Sequence, residues 1–387
     1  MLPEIKYMPV NWVDGMKITK DHFINTENAF YDQLRDANCK FLTSYNYGLL
    51  SPASGSKNSL DVKIGIDRSN ILRVTVLECR AITPGGGRIE VLRAMSQKQN
   101  DTAKELSAEY DLSKSQSQIV FIVISVNPFA RAAAGKPDPD ENPPRFPFAQ
   151  PEYKVNLMTK DEINTENGAF HLSIGKLKVI GSSFEVIENY IPPCTTVANH
   201  PDLVDVYHEL NLFLVNMEKY TSEIIQKIHS KNQQNDLAGS VLYLSEHMMS
   251  FLNDNMLLFK WTFMERPPLF MIELFARFAK TIKNTIDLKT GAGTEQLLGY
   301  VKNWIVEVNQ GEFESTLTDM INVQYDHMDM DTAIEKLQAF TMMIANVFKK
   351  LSKLDYIGEK KKADIIVTTR AAEEVHTTKK RSFLLDD

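Results

Sequence analysis

A chain of 387 residues is too long for one ordinary hydrophobic core and fits two domains with extras. With 43% hydrophobic and 24% charged residues it has the mix of a soluble globular protein, and 43 basic against 50 acidic side chains leave a net charge of −7, which weighs against nucleic-acid binding. Three scattered cysteines (Cys39, Cys79 and Cys194) exclude a disulfide or zinc framework, and the lack of a signal peptide or a roughly 18- to 20-residue apolar run points to the cytoplasm.

The first expected element is a helix capped by Asp21, with Phe23, Ala29, Phe30 and Leu34 forming a loose apolar face. Tyr45, Tyr47, Leu49 and Leu50 suggest extended chain. Leu60, Val62, Ile64 and Ile66 alternate with polar residues, the pattern of a half-buried strand. Residues 71–82 are rich in β-branched side chains and long enough for a second strand. Thr83-Pro84-Gly85-Gly86-Gly87 supplies a turn, and 89–92 return antiparallel. The run 119–126 (IVFIVISV) is an apolar stretch of strand length, so both its faces should be buried, while 153–157 and 170–174 alternate again. One helix followed by many strands predicts an antiparallel sandwich. Between two strands, Gly135 to Pro151 is rich in proline and cannot pair regularly. It reads as an exposed loop, or as an arm packed on a neighbouring subunit.

The period becomes helical after Ile191-Pro192-Pro193-Cys194. Leu203, Val206, Leu210, Leu214, Met217, Tyr220, Ile224 and Ile228 recur every three or four residues, with Asp202 placed as a cap. Further helices are expected at 241–252, 268–286, 294–308 and 332–351, the last opened by a Thr332/Glu335 capping box. Residues 269–279 are apolar nearly all round, which implies burial on every side. Met248, Met249, Met271, Met342 and Met343 suit an adaptable packing surface. The expected organisation is α+β and multidomain: a β-sandwich over 1–195, an up-and-down helical bundle over 196–355 and a charged tail over 356–387.

Reactive groups are sparse. Gly85-Gly86-Gly87 joins two strands and lacks the following lysine of a phosphate loop, and Gly291-Ala292-Gly293 reads as an interhelix turn. Asp326-His327-Met328-Asp329-Met330-Asp331 holds potential metal ligands without the glycine turn or distal glutamate of a calcium loop. No HExxH or GxSxG is present. The expectation is a structural protein with no catalytic residues, no metal and no cofactor.

Val10-Asn11-Trp12-Val13-Asp14-Gly15-Met16, followed by His22-Phe23, resembles the opening of the TssK family of type VI secretion baseplate subunits. Tyr47-Gly48-Leu49-Leu50 resembles the strand after that family's first helix, and Tyr190-Ile191-Pro192-Pro193-Cys194 its junction between β domain and bundle. The resemblance implies a homotrimer. Its sandwich would be like the shoulder of phage receptor-binding proteins, and its bundle would form a stalk. It also implies binding to the wedge proteins TssF and TssG, with Trp12, Gly15, Met16, His22 and Phe23 in or beside the contact. Trp12 has a second reading, as a plug in its own sandwich. The family's C-terminal β-rich docking domain has no counterpart here, which leaves docking to the membrane complex in doubt. It also points to a short variant whose tail, with Lys360-Lys361-Lys362 and Lys379-Lys380-Arg381, contacts another partner. The alternative function is that of a phage-like receptor-binding or tail adaptor protein.

Overall fold

The computed structural model describes residues 4–67, 70–92, 106–111, 118–163, 166–181, 183–288 and 310–357. Helix α1 (Lys20–Cys39) comes first, then strands β1 (Gly48–Leu49), β2 (Leu60–Ile66), β3 (Ile71–Ile82), β4 (Arg88–Val91), β5 (Leu106–Asp111), β6 (Gln118–Ala134) and β7 (Phe148–Met158). A short α2 (Lys160–Ile163) precedes β8 (His171–Ile180) and β9 (Ser183–Val186). The rest is helical: α3 (Pro201–Ser230), α4 (Asp236–Thr262), α5 (Leu269–Leu288), α6 (Gln310–Ile321) and α7 (Asp331–Lys353). The fold is α+β, with antiparallel sheets in the N-terminal half and helices in the C-terminal half.

Strand β3 is the hub of the first sheet. Its Leu72–Val76 stretch pairs with both β2 and β5, and Ala81–Ile82 with both β1 and β4, so two short strands share each of its edges. The second sheet runs β7-β6-β8-β9, all antiparallel. Alternation along β3 turns Leu72, Val74 and Val76 into the core, where they meet Val120, Ile122, Ile124 and Val126 of β6. The opposite face of β6 places Phe121 and Val123 in a smaller cluster with Ile163, Tyr190 and Met328. Both faces of residues 120–124 are therefore buried, as their composition demands, while Ile119 stays exposed. Strands β5 and β9 have no counterpart among the expected elements, because their sequences (LSAEYD and SFEV) are too polar and short to declare themselves.

In the helical half, consecutive helices pack on one another and α7 returns onto α3. Phe251 stacks on Phe278 at 4.8 Å between ring centroids, and Phe278 meets Phe340 edge-on at 6.2 Å, so rings from α4, α5 and α7 fill the middle. No helix among the described residues is long and apolar enough to cross a membrane.

Several local expectations are corrected. Thr19, not Asp21, caps α1, and His200, not Asp202, caps α3 by accepting from the Asp202 amide at 3.3 Å. Helix α4 extends well beyond 241–252 at both ends, opened by the Asn235 side-chain oxygen Oδ1 accepting from the Ala238 amide at 2.8 Å. The Thr332/Glu335 box is not the start of α7: Met330 holds the cap position. Helix α5 is not buried all round, since Glu273, Arg277 and Lys280 form an exposed edge and Glu273 pairs with Arg277 at 3.2 Å. Of the methionines, Met248, Met271 and Met343 are core, while Met342 is exposed. Residues 148–151 belong to strand β7, which shortens the proline-rich loop to 135–147. The expected helix at 294–308, the Gly291-Ala292-Gly293 turn and the tail beyond 357 lie outside the described residues.

Candidate partner-binding surface

Helix α1 is built inside out. Its buried positions, Asn28, Ala29, Asp32, Arg35 and Cys39, recur at helical spacing and are mostly polar. Its large apolar residues face solvent: Phe23 is 57% exposed, Phe30 63% and Leu34 65%. The spacing of seven and four sets those three in one stripe, and Phe41, just past the helix end, is 80% exposed.

The polar side is buried because it grips backbone. The Asp32 carboxylate accepts the amides of Lys6 at 2.6 Å and Tyr7 at 3.1 Å. It also accepts from Arg35 Nε at 2.9 Å, and Arg35 in turn donates to the Glu4 carbonyl at 3.2 Å. Burial works against the charge of Asp32, yet the Arg35 guanidinium and the two amides hold its carboxyl below the ordinary range. A buried ion pair is tolerable only when its remaining hydrogen-bond capacity is met, and here the N-terminal segment meets it. Residues 4–7 are thus pinned across α1, and the stretch from Met8 to Ile18 is looped out beyond them.

That loop holds the residues singled out in the sequence. Trp12 is 48% exposed and lies outside both core clusters, its ring 6.0 Å from His22 and 6.4 Å from Phe23. The reading of Trp12 as a plug in its own sandwich is therefore corrected. Gly15 has φ +79°, a left-handed bend that only glycine adopts freely, although no neighbour would crowd a side chain there. Met16 is partly buried and its amide closes a turn on the Val13 carbonyl at 3.3 Å. His22 accepts from the Thr19 amide through Nδ1 at 3.0 Å, so its immediate task is to reciprocate the α1 cap. Trp12, His22 and Phe23 come together as one aromatic group, with Gly15 and Met16 shaping the loop that carries Trp12.

A second support comes from the long β6–β7 hairpin. Phe129 packs against Tyr7 at 4.4 Å and Tyr31 at 5.7 Å, and Arg131 pairs with Glu27 at 2.5 Å. The N-terminal segment, α1 and the hairpin root therefore form one unit. A smaller set of exposed apolar side chains, including Leu212, Leu257 and Trp261, lies on α3 and α4.

The acidic segment 326–331 turns out to be a seam between strands and helices. Lys176 of β8 donates to Asp329 at 2.8 Å and Asp331 at 3.1 Å. Burial opposes that lysine's charge, but the two carboxylates outweigh it and raise its pKa. Lys160 pairs with Asp326 at 2.5 Å. His327 is buried, with Nε2 2.8 Å from the Tyr47 carbonyl and Nδ1 2.7 Å from the Tyr325 hydroxyl. Since a carbonyl only accepts, Nε2 carries the proton and Nδ1 accepts from Tyr325. Burial pushes the His327 pKa down to about 4. The junction at 190–195 is equally tight. The Leu49 amide donates to the Pro193 carbonyl at 2.7 Å, and a Cβ on Gly48 (φ +115°) would fall 2.0 Å from that oxygen.

The carboxylates and histidine of this seam are engaged in joining the two halves, and the described residues contain no cluster of three or more potential metal ligands. One recess of about 360 Å³ is lined by Tyr110, Asp111, Gln118, Thr159 and Glu162. There Glu162 accepts from the Thr159 amide and hydroxyl at 2.7 and 2.9 Å, which closes the α2 turn. The inward polar face of α1 and the Lys176 seam went unrecognised in the sequence. The signal for the first was present as polar residues at 28, 32 and 35, on the side of the helix away from the apolar ones.

No protein-family profile matches this sequence. No curated protein matches it either. Among solved structures, a crystal structure of TssK is similar at TM-score 0.50 and 14% identity, over 88% of this chain and 69% of that one. TssK from the EAEC type VI secretion system, in complex with nanobody nb18, aligns at TM-score 0.45 and 13% identity over 84% and 99% of the two chains. A type VI secretion baseplate complex gives 0.47 and 14% over 89% and 99%. The likeness to the first of these shows a shared fold.

Proposed function

We propose that this chain is a structural subunit of a type VI secretion baseplate, working in the cytoplasm by gripping other protein subunits and not by catalysis. In this reading it is a homotrimer that binds the wedge proteins TssF and TssG through the N-terminal loop and the start of α1, and so links the baseplate to its neighbours. The fold shared with TssK supports it, as do the N-terminal motifs that resemble that family. The observation that carries it is the reversal of α1. A helix that turns its phenylalanines outward and its Asp32–Arg35 ion pair inward exposes an apolar strip, which a solitary soluble protein rarely keeps.

Within that strip, Trp12 and Phe23 are the anchors, Gly15 sets the bend that presents Trp12, and Met16 and His22 hold the loop and the helix start in register. Aromatic anchors at the centre of an interface commonly dominate its energy. The sandwich over 1–195 and the bundle over 196–355 are proposed as units that the Lys176 and His327 seam locks in one orientation.

The test is capture of a co-expressed TssF–TssG complex by the full chain and by Trp12→Ala and Phe23→Ala variants. Each substitution should weaken capture by about tenfold or more while leaving the melting temperature nearly unchanged. Full capture by both variants would refute the assignment. Binding to cell-surface glycans without capture of TssF–TssG would favour the phage-like adaptor role instead.

A further inference from the structure

The β6–β7 ribbon has no core of its own beyond Asn127. From Arg131 to Ala134, β6 pairs only with β7, because its pairing with β8 ends at Ser125. No residue from 127 to 152 is buried. Phe129 and Arg131 fix the root against Tyr7, Tyr31 and Glu27. Farther out, the hydrogen bonds and ion pairs stay within the ribbon, as in the Arg145–Glu141 pair. A two-stranded ribbon with nothing to lean on is marginal in water. Yet this one bears aromatic rings at its tip: Phe148 is 70% exposed and Phe146 42%.

The same chain leaves Phe30 and Leu34 of α1, and Phe41 just past its end, bare. Tip and stripe do not cover one another within a chain, since both remain largely exposed. We infer that the ribbon is an exchange arm that lays Phe146 and Phe148 across Phe30 and Leu34 of α1 and the adjoining Phe41 in a second copy of this chain. The inference rests on the homotrimeric reading above and adds the contact that closes it. Each chain offers one unmatched tip and one unmatched stripe. Head-to-tail contact around a closed ring matches every tip to a stripe and leaves none over, whereas pairing stripe with stripe would strand the tips.

Three further features suit this occupant. The root is clamped on α1, so the direction of the arm relative to the stripe is set before association and little freedom is lost on binding. Ala130, Ala132, Ala133 and Ala134 give one strand small side chains, over which a neighbouring helix can approach closely. The exposed parts of the two phenylalanine rings, 70% and 42%, come to about 170–280 Å², roughly a quarter of the about 800 Å² per partner that a stable interface uses. The contact also leaves Trp12 and Phe23 available, since Phe30 lies roughly 10 Å farther along the helix than Phe23 at 1.5 Å per residue.

The test places the photo-reactive p-benzoylphenylalanine at position 148 of the full chain and mixes nitrogen-15-labelled with unlabelled protein before irradiation. Mixed-isotope cross-links to peptides containing residues 30–41 are expected. In parallel, replacing 133–149 by Asn-Gly keeps Arg131 and the root and should weaken self-association at least about tenfold, read by light scattering, with circular dichroism showing a folded chain. Cross-links confined to single-isotope pairs, or a shortened chain that associates as well as the original, would overturn the arm while leaving the trimer standing. If the unaltered chain is itself a monomer, the trimer and the arm fall together.

Discussion

Helices α1 and α5 are each 20 residues long and each carry large apolar side chains, with opposite fates. On α5, Met271, Ile272, Leu274, Phe275, Phe278 and Ile282 face other helices, and the charged edge of Glu273, Arg277 and Lys280 faces water. On α1 the phenylalanines face water and the ion pair is inside. The difference lies in the neighbour. Helix α5 meets apolar side chains, whereas α1 meets the backbone of residues 4–7, whose amides and carbonyls need polar partners. Amphipathicity alone states that a helix has two faces; the element beside it decides which one goes in.

The contrast can be broken at several points. Phe278→Ala removes a ring in contact with Phe251 and Phe340 at the centre of the bundle and should cost about 3–5 kcal/mol, read as a global fall in denaturant midpoint. Asp32→Ala strands a buried guanidinium and should cost about 3 kcal/mol or more. Its effect should be local: limited proteolysis should cut within residues 4–18 while the bundle stays intact. Acid should act in the same direction. The Asp32 carboxyl is held below its ordinary value, so its stabilisation is complete above the unfolded value of about 4 and is lost as pH falls through the lowered one.

His327 acts in the same direction, but over a higher pH window. Between 6.5 and about 4 an unfolded chain takes up a proton that the buried imidazole refuses, so stability falls as pH drops through that window, by roughly 3 kcal/mol in all. Burial also lowers His171 and His200, which add to the slope, so the readout is the difference between the chain and a His327→Gln variant. That variant should be less stable at pH 7 but flatter with pH; an equal slope would place the titration elsewhere. The smallest effect belongs to Phe30→Ala, which should change monomer stability by less than about 1 kcal/mol because the ring is mostly exposed. A loss as large as that of Phe278→Ala would mean that α1 packs inward after all.

Much of the architecture is legible in the sequence because it rests on periodicity. Strand β3 begins and ends where its β-branched run does, and the doubly buried stretch of β6 is announced by IVFIVISV. Helix α3 follows from the spacing of Leu203 through Ile228. Interactions between distant residues are not written that way. Nothing local to Lys176 announces Asp329 and Asp331, which lie more than 150 positions away. The Asp326–Asp331 run looks like a ligand set until the seam it fills is seen. The Trp12 group was legible as residue types, and its exposure was not, because Asp32 and Arg35 determine it from the far side of α1.

Hydrogen–deuterium exchange of the full chain, alone and with the TssF–TssG complex, tests the N-terminal loop and the start of α1 most directly. Protection gained over residues 8–26, with α3 to α5 unchanged, is the predicted result. Protection confined to the helical bundle, or none at all under saturating TssF–TssG, would contradict it.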